Sequence, residues 1–361
     1  MVLSHRQVVM VGGPQPDKDT AQTPTHLIPV TSFSAEEVVN QLLDNGRRGP
    51  HAADFRAPAG VKLVNITIEG AVQADPGTTI GHGIGMFLRN IFGSVDVATS
   101  LTSSLWNHDF QLPASPSIEY LTIETDNQVS GSNPDRRFVG CRVQELVFSW
   151  NAGEGVLSYT ATLTGRHTTL VAATNLLAQA VTIEDPMEGW NAEVAFSGAI
   201  NYGTPQFTKL ISAEWTLSRA PSVLYTGQNT QVPDEIYLGP LACTVALVMN
   251  YDDDTELAKY RAGTQVNIVN SFIRNRSDND NTIRRFIIAN SLFSILESPV
   301  TVDISGEHAT IALGARALYN TDVSEIITDA SITGDASVAA NAGPVQVRLT
   351  DLRNIVYNTV S

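Results

Sequence analysis

Ser117–Asp126 reads SIEYLTIETD, Phe138–Trp150 reads FVGCRVQELVFSW, and Val156–Gly165 reads VLSYTATLTG after a Gly-rich turn. In all three runs apolar and polar residues alternate, and Val, Ile, Thr, Phe and Tyr dominate. That period of two belongs to strands with one buried face. The order returns further on as AEVAFSGAI (192–200), KLISAEWTLS (209–218) and IYLGPLACTVALVM (236–249). In the middle run Glu145–Ser149 aligns with Glu214–Ser218, so the chain reads as two tandem β-units. A length spent on two such units, with no chemical motif between them, points to construction rather than catalysis.

Outward from this stretch, the 361 residues suffice for two modest cores or one large one. The 26 Gly and 17 Pro suit many short strands and turns. No apolar run approaches the ~20 residues of a membrane helix, and the N-terminus MVLSHRQVVMVGG lacks the pattern of a secretory signal. Formal net charge is −15, with Lys18, Lys62, Lys209 and Lys259 the only lysines. Such a chain is poorly suited to nonspecific phosphate binding, which needs clustered cations. Its acidity either keeps it soluble or faces a polyanion that must pass without sticking.

Residues 1–59 read as an N-terminal arm, a helix and a loop. The Pro- and Thr-rich residues 1–33 are expected to extend outside the cores, so that deleting 1–30 leaves a folded chain. SAEEVVNQLLDNG (34–46) predicts a helix, with Ser34 and Glu37 as a capping box and Gly46 as its stop. The loop RRGPHAADFRAPAG (47–60) is either an intersubunit clip or a surface crossover. Residues 60–170 form the first β-unit, containing an apolar helical insert at GTTIGHGIGMFLRNIFG (77–93) and a returning link at 94–116. Residues 171–184 are a linker. Residues 185–361 form the second β-unit with a C-terminal extension. There GTQVNIVNSFI, PVTVDI, HATIALGARALY and PVQVRLTDL read as strands, while TIRRFIIANSLF (282–293) fits strand or helix. The fold class is mainly β: two tandem β-sandwich or half-barrel units with short helical inserts.

No catalytic, cofactor-binding or metal-binding residues emerge. GHGIG (81–85) does not follow a strand as a dinucleotide fingerprint must. Asp252-Asp253-Asp254 and SDNDN (277–281) lack the glycine and distal Glu of a calcium loop. The seven His show no zinc spacing, and no nucleophile elbow is present. Cys141 and Cys243 fall in apolar strand runs, as buried thiols do; a bond between them stays open.

FLRNIFG, PSIEYLTIE, FVGCRVQELVFS, NAGEG and ATLTGR, in this order, resemble the major tail tube proteins of long-tailed, siphovirus-type bacteriophages. ISAEWTLSRAP, PDEIYLGPLACTVALVM and residues 287–320 resemble the second half of the family's two-unit members. Together these segments cover roughly residues 46–320. The resemblance implies a structural, non-enzymatic virion protein whose rings stack into a hollow tube. A two-unit chain is expected to close rings as trimers with pseudo-sixfold symmetry. The resemblance further implies a tape-measure protein inside, tail-end proteins as partners, and passage of genomic DNA without specific binding. On that reading acids outnumber bases on the inner wall, and Arg residues lie between subunits. Two other readings compete: a baseplate or capsid-decoration protein, and a surface carbohydrate-binding β-sandwich with Trp106, Trp150, Trp190 and Trp215 as stacking platforms.

Overall fold

The computed structural model describes residues 8–42, 59–75, 81–93, 97–100, 105–113, 115–117, 119–126, 135–153, 155–171, 184–196, 207–274, 284–290, 294–306, 308–319 and 343–352. Most of the 47–60 loop, the SDNDN loop and nearly all of the 171–184 linker lie outside the described residues. The first half of the chain forms β1 (Val8–Gly12), β2 (His26–Ile28), β3 (Ser32–Gln41), β4 (Ala59–Ala71), β5 (Gly81–His82) and α1 (Ile84–Phe92). It continues with β6 (Val97–Ser100), β7 (Trp106–Gln111), β8 (Leu121–Asp126), β9 (Asp135–Asn151), β10 (Ser158–Gly165) and β11 (His167–Val171). The second half forms β12 (Ala192–Phe196), β13 (Leu210–Ser218), β14 (Pro221–Leu224), β15 (Glu235–Leu238), β16 (Ala242–Asn250) and α2 (Thr255–Arg261). It ends with β17 (Ile268–Arg274), β18 (Arg284–Asn290), β19 (Ser294–Asp303), β20 (Thr310–Ala317) and β21 (Val345–Asp351).

The long strand β9 organises the molecule. Its C-terminal half pairs with β10 on one side and β13 on the other. Antiparallel pairing continues outward, giving eight strands in the order β3-β4-β10-β9-β13-β16-β20-β19. The N-terminal half of β9 instead pairs with β8 and β11, and β8 leads on to β1 and β2. A separate sheet of six strands runs β12-β17-β18-β21-β7-β6.

The core lies between these layers. Phe148 meets Phe286 at 4.8 Å between ring centroids, and Trp150 meets Phe272 edge-on at 5.6 Å. Trp215, fully buried on β13, donates its indole N–H to Asn270 Oδ1 on β17 at 2.8 Å. That bond spares the Trp215 N–H the cost of an unmet buried donor, about 1–3 kcal/mol. Helix α1 is the apolar insert the sequence announces. All nine of its residues are buried, and Gly93 ends it at φ 65°, donating its N–H to Arg89 O. Glu119 binds the buried Arg89 guanidinium with both carboxylate oxygens, at 2.7 and 2.8 Å.

Several expectations need correction. Residues 32–41 are strand β3, not a capped helix. Phe33 and Ala35 alternate onto the core, and β3 pairs with β4 from Ser32↔Glu69 to Gln41↔Ala59. Local helix preference amounts to only tenths of a kcal/mol per residue, and a long partner strand outweighs it. The N-terminal arm is not outside the fold: Val9, Met10 and Val11 are at most 1 % exposed and pair with β8. The 94–116 link supplies β6 and β7, which join the six-stranded sheet beside the C-terminal β21. Within TIRRFIIANSLF, Arg284–Asn290 form strand β18. Glu145–Ser149 and Glu214–Ser218, aligned in sequence as counterparts, are hydrogen-bonded neighbours with Glu145 opposite Ser218. Their likeness reflects a shared demand, one apolar and one polar face per strand.

Candidate assembly surfaces

Along the eight-stranded sheet one face is buried against the core and the other is open. The alternation is clearest on β16, where Cys243, Val245, Leu247 and Met249 are buried while Ala242, Ala246 and Asn250 are exposed. Ladder register carries the open face across the sheet. One row runs Ser32, Glu69, Thr160, Val147, Thr216, Thr244 and Arg316. A second holds Ser158, Ser149, Glu214, Ala246, Gly314 and Glu297. A third contains Thr67, Thr162, Glu145 and Ser218. The face is therefore hydroxyl-rich and acidic. Among the described residues of these rows Arg316 is the single cation, and its Nε sits 3.0 Å from Glu297 Oε1.

The sheet ends in two strands, β3, paired on one side only among the described residues, and β19, which beyond its pairing with β20 makes a single bridge, Ser294↔Val266. An unpaired edge offers a row of N–H and C=O groups to another chain. Hairpin turns and loops crowd the two ends of the strands. At one end lie the turn from Asn151 to Ser158 and the turn from Asp303 to Thr310. At the other, the β14–β15 ribbon is inserted between β13 and β16.

That ribbon is strapped down across the first half of the chain. Arg142 Nη1 donates to Ile236 O at 2.8 Å, Arg166 Nε to Pro233 O at 2.7 Å, and Lys62 N to Gln231 O at 2.8 Å. Tyr225 Oη donates to Lys62 O at 3.2 Å. Burial, then the nearby Arg219 charge, lowers Arg142 to about 10. Beneath the ribbon a cleft of about 330 Å³ is lined by Lys18, Asp19, Arg166, His167 and Asp234. Its charges cancel internally, since Lys18 pairs with Asp234 and Arg166 with Asp19. It joins parts of the fold and leaves no net charge for a ligand.

Residues singled out in the sequence take ordinary structural places. Asp252 and Asp253 each lie 2.6 Å from Lys209 Nζ. Cys141 and Cys243 are free thiols in the core. Trp150 and Trp215 are buried, and only Trp190, 69 % exposed, presents its ring to solvent. Gly81–His82 pairs with β2 and leads into α1. Among the described residues no group of three or more His, Cys, Asp or Glu is arranged for a metal ion, and no helix is long and apolar enough to cross a membrane.

The profile of the family described as "Phage tail tube protein" matches residues 20–343. The chain belongs to the phage tail tube protein family. It is a structural, non-enzymatic component of the virion tail and assembles with copies of itself into the tube. No curated protein matches the sequence closely enough to add a named relative. The matched region takes in the eight-stranded sheet, the ribbon and α1, but not β1 or β21. The open face, edges and ends of this tail tube protein had no motif in the sequence. Alternation showed that a polar face exists, but only strand order shows which faces join.

Proposed function

We propose that this chain is a two-unit tube protein that closes edge to edge into trimeric rings with pseudo-sixfold symmetry. The observation that carries this reading is strand order. Hairpin β3–β4 followed by hairpin β9–β10 occupies one half of the eight-stranded sheet, and β13–β16 followed by β19–β20 occupies the other. Sequence order and spatial order agree in both halves: first strand, second strand, then the later hairpin reversed. The counterparts are thus β3 with β13 and β9 with β19, rather than β9 with β13. Because the number of strands is even, β19 of one copy meets β3 of the next in antiparallel sense, so one pairing rule closes the ring. Heterologous contacts of this kind build rings, and the pairing itself is β-augmentation.

Three copies supply 24 strands. At ~4.8 Å spacing and a tilt of up to ~40°, their backbones enclose a channel roughly 37–48 Å across. The six-stranded sheet and α1 occupy the other face of the sheet, where the larger outer circumference accommodates them, so the open face turns inward. A wall of Ser, Thr, Glu69, Glu145 and Glu214, with Arg316 paired, offers a phosphate backbone little to hold, which suits DNA passage. The tape-measure protein would occupy the same channel before DNA does.

Electron cryo-microscopy of purified tubes tests this reading. Three chains per ring with a continuous β3–β19 seam are expected. Six chains per ring, or an inner wall built from the six-stranded sheet, would refute it.

A further inference from the structure

Ring closure uses up the sheet edges and leaves only the strand ends for growth along the tube. Both ends carry exposed apolar side chains. At one end the ribbon presents Leu224, Tyr225 and Tyr237, which are 42 %, 37 % and 47 % exposed. At the other end Val156, Trp190 and Ile304 are 36 %, 69 % and 78 % exposed. Single exposed apolar residues are ordinary. Here, however, they gather at the two opposite ends of the same strands, and Val156 and Ile304 occupy matching hairpin turns of the two halves.

Both sets are held rigidly. The ribbon is tied by the Arg142, Arg166 and Lys62 bonds described above and by Gln231 Nε2 donating to Ala59 O at 2.9 Å. Trp190 follows Gly189, whose N–H donates to Gly155 O at 3.2 Å. A side chain at Gly189 would come within 2.5 Å of Asn151 O, so glycine lets this segment lie flush on the turn and project the indole outward. Pre-organised aromatic groups are the usual anchors of a protein contact, because little entropy is lost when they dock.

We propose that rings stack by seating the β14–β15 ribbon of one copy (Leu224, Tyr225 and Tyr237) against the Trp190–Val156–Ile304 end of a copy in the adjacent ring. The occupant is a second copy of this chain, since the family assembles with itself and the two patches lie at opposite ends of one sheet. The contact is head to tail, so the tube grows with a fixed polarity. This inference rests on the ring reading above for its placement of the strand ends along the tube axis.

Hydroxyl-radical footprinting of tubes against dissociated rings is the first test. Oxidation of Trp190 and Tyr237 should fall on stacking, and equal oxidation in both states would overturn the proposal. Two variants supply the second: Trp190→Ser, and the pair Leu224→Ser with Tyr237→Ser. All three residues are exposed, so circular dichroism should show an unchanged fold. Each variant should form rings at the ordinary concentration while raising the concentration needed for tubes about tenfold or more, equivalent to ~1.4 kcal/mol per contact. Preformed rings of the two variants, mixed below that raised concentration, should yield two-ring stacks and nothing longer, because only one intact end remains on each. Tubes that form as readily as those of the unaltered protein would sink the stacking proposal, whereas absence of rings from the unaltered protein would sink the ring reading instead.

Discussion

Removing residues 1–12 should unfold this protein, although in sequence they look like a dispensable arm. The deletion takes away β1, whose Val9, Met10 and Val11 are 0 %, 1 % and 0 % exposed. At ~1.5–3 kcal/mol for each buried side chain, the loss is roughly 5–9 kcal/mol. That figure is an upper bound, because unfolded chains already bury some apolar surface. The deletion also strips a partner from β8, opposite β1 from Val8↔Asp126 to Gly12↔Thr122, and uncovers a strand whose six residues are all buried. Against a total stability of ~5–15 kcal/mol, a loss of this size removes most of the margin. Urea unfolding followed by far-ultraviolet circular dichroism measures it, with Met10→Ala as a graded control expected to cost about 2–5 kcal/mol. A deletion variant that unfolds cooperatively within ~1 kcal/mol of the full chain would refute the reasoning and return β1 to the status of an arm.

Three further outcomes are expected. Asp109→Asn should cost about 1.5–3 kcal/mol in the same unfolding assay, because it replaces a charge-assisted pair with a neutral amide; Arg348 is 2 % exposed and meets both oxygens of Asp109, at 2.6 and 3.1 Å. A cost under ~1 kcal/mol would mean that water reaches the pair. Glu297→Gln should leave Arg316 uncompensated on the open face, so tubes should retain duplex DNA with a salt dependence steeper by ~0.9 per added phosphate contact; unchanged retention would count against an inward-facing Arg316. Cys141 and Cys243 are fully buried and their thiols are pushed well above the ordinary range by burial. Both should resist alkylation at pH 8 until denaturant is added, and rapid labelling of the native protein would contradict their placement.

Much of this molecule was legible in its residues. Alternation at Phe138–Trp150, Leu210–Ser218 and Ala242–Asn250 announced strands, since a half-buried strand must alternate wherever it pairs. Glycine at position 93 marked the end of α1 because the left-handed turn there favours a residue without a side chain. The ordered motifs from FLRNIFG to ATLTGR pointed to the tail tube family. Where pairing decided, local patterns misled: Ser34–Gly46 satisfies every rule for starting and stopping a helix, yet β4 draws residues 32–41 into the sheet. Val8–Gly12 is too short for its periodicity to distinguish an arm from a core strand, and only the partner β8 makes it core. Partner choice is non-local, set by which apolar faces can be buried together and which edges remain to be paired. Residues alone therefore determined that this chain would build alternating strands and carry a net negative charge. The tertiary structure decided that β9 lies beside β13, that β6 and β7 cross to the C-terminal sheet, and that β3 and β19 end the eight-stranded sheet.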